Sequence, residues 1–328
     1  MISIIGAGAW GTSLSIAARR AGNDVTLWAY EPEIADAIND KHENPVYLPG
    51  TRLDPGIRAT ADLGETAAGE AILLVAPAQH MRQTIGPLAG LVTPATPLII
   101  CAKGIEQQTL SLMSEAVTGI FPENPVLVLS GPTFAAEVAA GLPTAVTLAG
   151  NDIAAAQRVA DILSSERFRP YSGADVIGAQ IGGAIKNVLA IGCGIAEGRG
   201  FGDNARAALI TRGLAELTRL CVAKGGRAET MMGLSGLGDL VLTCTSTQSR
   251  NYSLGFALGQ GRALNEILGE RRSVAEGVFT ASAAVALANS LGVEMPITAA
   301  VDAVLNGGAD IGKVIETLLA RPLRAEAD

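Results

Sequence analysis

The chain has 328 residues, of which 48% are hydrophobic and 17% are charged, so it can bury a large core and is too apolar to be disordered. Its net charge of −8, without any cluster of Lys and Arg, argues against a nucleic-acid-binding protein. Anionic ligands must therefore be bound by a few locally placed cations, and each isolated Lys or Arg in an apolar segment is informative.

Cysteine and histidine usage indicates neither disulfides nor a metal site. The cysteines are far apart and form no CxxC pair, so we interpret them as buried, reduced thiols of a cytoplasmic protein; they are Cys101, Cys193, Cys221 and Cys244. Two histidines are too few for a histidine-rich metal site. No signal peptide is expected, because no basic segment precedes an apolar one at the N-terminus.

The first half of the chain alternates predicted strands and helices. Short runs rich in Val, Ile and Leu predict strands at 2–5, 24–29, 71–76, 97–102, 125–130 and 144–149. Helical segments lie between or after them, at 11–21, 33–40, 79–90, 108–118, 134–140 and 153–164. Because the strands are continuous apolar runs without polar alternation, we expect a mostly parallel sheet covered on both faces.

After about residue 172 the pattern becomes helical. The predicted helices lie at 175–196, 204–223, 249–258, 278–290, 297–305 and 312–319. The first of these is long and apolar enough for a membrane span, but Lys186 near its middle would be costly in lipid, so we expect the buried central helix of a soluble domain without membrane insertion. The prediction is an α/β Rossmann-type domain at 1–174 and an all-α domain at 175–328.

A glycine-rich turn follows the first strand. Gly6, Gly8 and Gly11 fit the G-x-G-x-x-G pattern, and the turn leads into a helix and a second strand, as a dinucleotide site requires. Glu31 stands 20 residues after Gly11, where an acidic residue would bind the adenosine ribose, and a solvated Glu31 without a ligand is equally compatible. Tyr30 precedes it, and neither residue is an Arg suited to a 2′-phosphate, so the choice between NAD and NADP stays open.

Polar residues follow two of the later strands. Lys103 ends the strand at 97–102, and the segment Ser130-Gly131-Pro132-Thr133 ends the next strand. Ligands of parallel sheets bind beyond the carboxyl ends of the strands, so these segments are candidates for a substrate site. Lys103 could equally be a solvent-exposed loop residue on position alone.

The helical half contributes charged residues in apolar surroundings. Lys186 lies on a helix with hardly any polar face, where a desolvated ammonium needs an anionic partner or has a chemical role, and its pKa should fall toward neutrality. Asp239, in a glycine-lined segment, is the candidate partner. Arg250 and Asn251 open a predicted helix, where an Arg beside helix N-terminal amides suits a phosphate. A structural ion pair and an ordinary surface Arg are the alternatives.

At these residues the sequence resembles the bacterial NAD(P)-dependent glycerol-3-phosphate dehydrogenases. The matching stretches occur in family order over nearly the whole chain: GAGAWGT (6–12), AKGIE (102–106), SGPTFAAEV (130–138), GGAIKNVLAIGCG (182–194), GFGDNARAALITRGLAE (200–216), GLSGLGDLVLTCTSTQSRN (233–251) and AEGV (275–278). The resemblance implies a Rossmann-type domain, a helical domain and an active site between them. It implies reversible reduction of dihydroxyacetone phosphate to sn-glycerol 3-phosphate, which supplies glycerophospholipid biosynthesis.

The resemblance also implies roles for individual residues. Lys186 would donate or accept the proton at the substrate oxygen, and we expect Asp239 to orient it with help from Asn187. Substrate contacts would come from Lys103, Gly131, Thr133, Lys186, Asp239, Ser249, Arg250 and Asn251. Besides the motif glycines, cofactor contacts would come from Ala9, Trp10, Tyr30, Lys103, Ala135, Arg250, Val274 and Glu276.

The residues alone leave the cofactor preference and the alternatives to this enzyme open. Relatives often carry a basic residue or His where this chain has Tyr30, which weakens any expectation of a strong NADP preference. A β-hydroxyacid or 6-phosphogluconate dehydrogenase is the nearest alternative enzyme, and a dinucleotide-sensing module without catalysis is a more distant one. A homodimer is expected from the family resemblance.

Overall fold

The computed structural model describes residues 1–270 and 276–322. Within these residues one sheet has the strand order β10-β9-β8-β7-β6-β1-β2-β5, and β3 pairs with β4 in a separate hairpin. The strands are β1 (Ile2–Ile5), β2 (Val25–Trp28), β3 (Glu43–Asn44), β4 (Leu48–Arg52), β5 (Ile57–Thr60), β6 (Ala71–Leu74), β7 (Leu98–Ile100), β8 (Val126–Ser130), β9 (Thr144–Gly150) and β10 (Phe168–Gly173).

The sheet is mostly parallel, as predicted. Strands β5, β2, β1, β6, β7 and β8 pair in parallel, β9 pairs antiparallel with β8, and β10 is parallel to β9. All six predicted strands are present, but β3, β4, β5 and β10 were missed. The two missed strands of the large sheet lie at its edges, where Arg58 and Arg169 are exposed, so they lack the continuous apolar run of the central strands.

Helices cover the sheet between its strands: α1 (Ala9–Arg20), α2 (Pro32–Lys41), α3 (Met81–Ile85), α4 (Met113–Thr118), α5 (Ala135–Ala140) and α6 (Ile153–Leu163). Two predicted helices were too long. The helix predicted at 79–90 is only α3 flanked by single 3₁₀ turns, and Pro87 cannot donate a backbone N–H there. The helix predicted at 108–118 begins at Met113, because the chain before it folds back through a bridge between Ile105 and Leu112.

The described part of the second half is helical: α7 (Val176–Gly198), α8 (Gly202–Ala223), α9 (Ala228–Met231), α10 (Asp239–Thr245), α11 (Arg250–Gly259), α12 (Leu264–Gly269), α13 (Glu276–Ser290), α14 (Pro296–Leu305) and α15 (Ile311–Leu319). The short helices α9, α10 and α12 were not predicted. The sheet ends at Gly173 and α7 begins at Val176, and the division into domains at 1–174 and 175–328 stays a prediction.

Helix α7 forms the centre of the helical region. It is long and apolar enough to cross a membrane by length and composition alone, yet 89% of its most apolar window is buried by the rest of the protein, as in the core helix of a soluble protein. Its glycines let α11 approach backbone to backbone. A Cβ on Gly194 would lie 2.1 Å from the carbonyl oxygen of Tyr252, and one on Gly255 would lie 2.0 Å from that of Ile191. We call this contact the glycine seam.

Candidate active site

The glycine-rich loop between β1 and α1 combines two glycines that the fold needs with one that it does not. Gly6 has φ +119°, and a Cβ on Gly11 would lie 1.8 Å from the carbonyl oxygen of Gly6. Gly8 is the N-cap of α1, and a Cβ there would meet no atom of the described residues within 4 Å. The packing therefore leaves open space at a helix N-terminus, which fits the pyrophosphate of a dinucleotide.

The end of β2 carries two side chains of opposite character. Tyr30 is 79% exposed, and its ring makes an edge contact with Trp28 at a centroid distance of 6.2 Å. The Glu31 carboxylate instead accepts a hydrogen bond of 2.8 Å from the hydroxyl of Tyr47. The aromatic face of Tyr30 is thus available to a ligand, whereas Glu31 is held in place by the β3–β4 hairpin segment.

Two lysines meet one buried carboxylate at the carboxyl edge of the sheet. Lys103 follows β7, Lys186 lies in the middle of α7, and Asp239 is the first residue of α10. The Lys186 ammonium donates to one Asp239 oxygen, and the Lys103 ammonium donates to the other at 2.7 Å. Lys103 also donates to the carbonyl of Gly131, at 3.2 Å. The structure thereby brings together residues separated by up to 136 positions in the sequence.

The electrostatics of this cluster prepare Lys186 for proton transfer. The surroundings lower the pKa of Lys186 to about 8; burial is the largest cause, and the neighbouring Lys103 ammonium acts in the same direction. The Asp239 carboxylate acts in the opposite direction, and it is 0% exposed. A lysine with this pKa is present both as an ammonium, which gives a proton, and as a neutral amine, which takes one, as general acid and base catalysis requires.

The N-termini of α11 and α13 complete the cluster. Burial raises the pKa of the Glu276 carboxyl, and the positive charges of Arg250, Lys103 and Lys186 act against this rise. The Asn251 side-chain oxygen accepts a hydrogen bond of 3.2 Å from the backbone of Gly277, which joins the two helix ends. The site therefore combines three cations with two carboxyl groups, an arrangement suited to an anionic substrate.

Comparison with known proteins assigns the chain to a protein family. Family models of the NAD-dependent glycerol-3-phosphate dehydrogenase N-terminus and C-terminus match residues 1–156 and 175–316. The glycerol-3-phosphate dehydrogenase [NAD(P)+] of Rhodospirillum rubrum is 61% identical over 326 residues, covering 99% of this chain and 93% of that protein. The chain belongs to the glycerol-3-phosphate dehydrogenase family.

Two further similarities agree with membership of the glycerol-3-phosphate dehydrogenase family. The glycerol-3-phosphate dehydrogenase [NAD(P)+] of Parvibaculum lavamentivorans is 54% identical over 325 residues, covering 99% of this chain and 98% of that protein. The crystal structure of glycerol-3-phosphate dehydrogenase from Coxiella burnetii has a TM-score of 0.93 at 40% identity and covers 98% of both chains. The resemblance read from the sequence, the fold class and dependence on NAD or NADP are confirmed.

Most of the substrate-site residues expected from the glycerol-3-phosphate dehydrogenase resemblance lie at the carboxyl edge of the sheet or on the helices that face it. Gly131 has φ +152°, and the Thr133 hydroxyl donates to its carbonyl at 3.3 Å. Ser249 is the N-cap of α11, where its hydroxyl accepts a bond of 3.2 Å from Tyr252. Asn187 is buried beside Lys186 on α7. The roles assigned to these residues remain predictions.

The residues expected at the cofactor divide into two groups. Ala9 and Trp10 form the first turn of α1, and Ala135 lies beside that helix, because its carbonyl accepts a bond of 2.7 Å from Ser13. Tyr30 stands two residues after the end of β2. Lys103, Arg250 and Glu276 belong to the lysine cluster described above. Val274 lies outside the described residues.

Sequence reasoning missed two features of the site. Asn44 is fully buried, and its amide donates to the carbonyl of Ala7 at 2.8 Å and to the Thr12 hydroxyl at 2.9 Å, which fixes the glycine-rich loop. A contact across 37 residues leaves no periodic signal in a single sequence. Ser130 and Ser235 bury hydroxyls without a hydrogen-bond partner among the described residues. The sequence had marked the segment that begins at Ser130 as a candidate for the substrate site, but it did not predict that the hydroxyl is buried.

Proposed function

We propose that this protein is a glycerol-3-phosphate dehydrogenase, which reversibly reduces dihydroxyacetone phosphate to sn-glycerol 3-phosphate with NADH or NADPH. The product would supply glycerophospholipid biosynthesis. The observation that carries the proposal is the buried Lys103–Asp239–Lys186 cluster at the carboxyl edge of the sheet, in a chain that belongs to this family.

The glycine-rich loop is the proposed dinucleotide site. When bound, the reduced nicotinamide supplies the hydride for the substrate carbonyl. The open space at Gly8 and the first turn of α1 support binding of the pyrophosphate, with Ala9 and Trp10 alongside. The other proposed contacts are Tyr30, Lys103, Ala135, Arg250, Val274 and Glu276.

Lys186 is the proposed catalytic acid in the direction of reduction. Its lowered pKa lets the ammonium protonate the oxygen of the carbonyl as negative charge develops there, and the neutral amine takes the proton back in oxidation. Asp239 orients the ammonium through the hydrogen bond between them. Asn187, the next residue on α7, is proposed to help hold this Lys186–Asp239 network.

The substrate phosphate is the proposed ligand of the N-terminus of α11. Ser249, Arg250 and Asn251 lie at its first residues, where backbone N–H groups and a guanidinium favour a phosphate. Lys103, with the turn that carries Gly131 and Thr133, would contact the rest of the small substrate. Binding energy from the remote phosphate then positions the carbonyl for reaction.

Replacement of Lys186 tests this assignment. Lys186→Ala should lower kcat for dihydroxyacetone phosphate reduction by at least about a hundredfold, the contribution typical of a positioned general acid, while NADH binding stays nearly intact. Lys224→Ala is the matched control, because Lys224 makes a 2.8 Å ion pair with Glu115 away from the cluster. Near-normal turnover of the Lys186 variant would contradict the assignment.

A homodimer in the cytoplasm, without nucleic acid or membrane insertion, is the proposed state of the protein. Family membership leads us to expect a dimer. Helix α15 supports a partner, because none of its residues is buried within the single chain and Leu319 is 80% exposed. The molar mass in solution, measured by light scattering, tests this state; a monomer at working concentrations would overturn it.

A further inference from the structure

A chain of hydrogen bonds connects the glycine-rich loop to the end of β2. Asn44 donates to the carbonyl of Ala7 at 2.8 Å, and its own side-chain oxygen accepts a bond of 3.1 Å from the backbone of Tyr47. The Tyr47 hydroxyl then donates to Glu31 at 2.8 Å. The hairpin segment therefore sets the position of the Glu31 carboxylate relative to the loop.

The Glu31 carboxylate has no structural task within its own helix. Glu31 is the N-cap of α2, but its side chain makes no capping hydrogen bond to that helix. One carboxylate oxygen accepts from Tyr47, and a carboxylate has acceptor capacity for further donors. The hydrogen bond to Glu31 is also the main reason that the pKa of Tyr47 is raised, so the hydroxyl remains a donor at neutral pH.

We propose that Tyr47 is a specificity-determining residue of the cofactor site, which holds the Glu31 carboxylate where it accepts the adenosine ribose hydroxyls and repels a 2′-phosphate. The protein then selects NADH over NADPH. This inference rests on the proposed function as far as the protein uses a nicotinamide dinucleotide, but it does not depend on the identity of the substrate. Strand β2 is next to β1, so its carboxyl end is the ribose position of a dinucleotide bound at the loop.

The fixed position of the Glu31 carboxylate matters because discrimination between NADH and NADPH depends on where the negative charge lies as well as on its presence. A mobile glutamate side chain can rotate away into solvent when a 2′-phosphate binds. The electrostatic repulsion between the carboxylate and the phosphate is then small. A glutamate fixed by Tyr47 keeps its negative charge beside the incoming dianion. Tyr47 acts through Glu31, so it is a positioning residue and not a contact to the reacting atoms.

Dissociation constants of NADH and NADPH, measured by fluorescence with the whole protein and without dihydroxyacetone phosphate, test the proposal. The unmodified protein should bind NADH about tenfold or more tightly than NADPH, the effect of one charge-assisted hydrogen bond. Glu31→Gln should largely abolish this ratio. Tyr47→Phe should lower the ratio several-fold, with circular dichroism and thermal unfolding close to those of the unmodified protein.

Glu33→Gln is the matched control, because Glu33 is an exposed acidic residue in the first turn of the same helix. It should leave the ratio unchanged. Equal binding of the two cofactors, tighter binding of NADPH, or a Tyr47→Phe variant that loses both cofactors equally would overturn this inference alone. Binding of neither cofactor would overturn the proposed function as well.

Discussion

Asp239→Asn separates the electrostatic role of Asp239 from its structural role. The carboxylate is the main group that raises the pKa of Lys186 against burial and against the Lys103 ammonium. With the charge removed, both lowering causes remain, so the pKa of Lys186 must fall further below about 8. Reduction needs the ammonium, so kcat/KM falls as pH rises through this pKa, and the fall should move to lower pH in the variant.

The size of this shift follows from the geometry. The carboxylate is hydrogen-bonded to the Lys186 ammonium and is fully buried, so it is screened little by water. An opposite charge within hydrogen-bond distance shifts a pKa by about 1–3 units, so the inflection should move from about 8 to between about 5 and about 7. Loss of the charge from the buried pair should also lower the free energy of unfolding by about 3–5 kcal/mol.

The assay is the pH dependence of kcat/KM for dihydroxyacetone phosphate with NADH, followed by the absorbance of the reduced nicotinamide. Glu216→Gln is the control. Glu216 is another buried carboxylate of the helical region, which accepts 2.6 Å and 3.1 Å bonds from the N-terminus of α14. This control should lose stability and keep its inflection at about 8. An Asp239→Asn profile that keeps the same inflection would refute the electrostatic argument.

Three further predictions concern the cofactor loop and the phosphate site. Gly8→Ala should keep the stability of the fold, because its Cβ enters open space, yet weaken NADH binding about tenfold by filling the place of the pyrophosphate; an unchanged dissociation constant would contradict the cofactor site. Gly11→Ala should lower the free energy of unfolding by about 1–3 kcal/mol or more, because its Cβ would overlap the carbonyl of Gly6; urea unfolding measures this, and unchanged stability would contradict it. Arg250→Ala should raise KM for dihydroxyacetone phosphate roughly 10- to 100-fold, and an equal loss on unphosphorylated dihydroxyacetone would contradict the phosphate assignment.

The central architecture was predictable because its signals are local. Continuous apolar runs gave the six inner strands, and Gly6, Gly8 and Gly11 stand between a strand and a helix in a pattern with few alternatives. Lys186 was conspicuous because an ammonium in an apolar helix requires a partner. Asp239 was the only acidic residue proposed for that role, and the structure pairs the two.

The features that could not be predicted from the sequence are contacts between residues distant in the chain and the strands at the edges of the sheet. Strands β5 and β10 are partly exposed and carry polar residues, so their pattern resembles a loop. The pairing of Lys103 with Asp239 spans 136 residues, and a lysine at a strand end looks the same in sequence whether it faces solvent or a carboxylate. The hydrogen bond between Tyr47 and Glu31 could not be predicted for the same reason, because the hairpin that carries Tyr47 was itself missed.

The glycine seam limits the routes by which this enzyme can acquire new substrates. Because Gly194 and Gly255 have a neighbouring helix backbone about 2 Å from where a Cβ would sit, no side chain can be added there without separating α7 from α11. Helix α7 carries Lys186 and α11 carries Arg250. Single substitutions in the seam therefore cannot change the distance between these two residues in small steps. In directed evolution for a longer or bulkier substrate, the substitutions that raise activity should accumulate near the carboxyl edge of the sheet, around Thr133. Gly194 and Gly255 should remain glycine in every active variant.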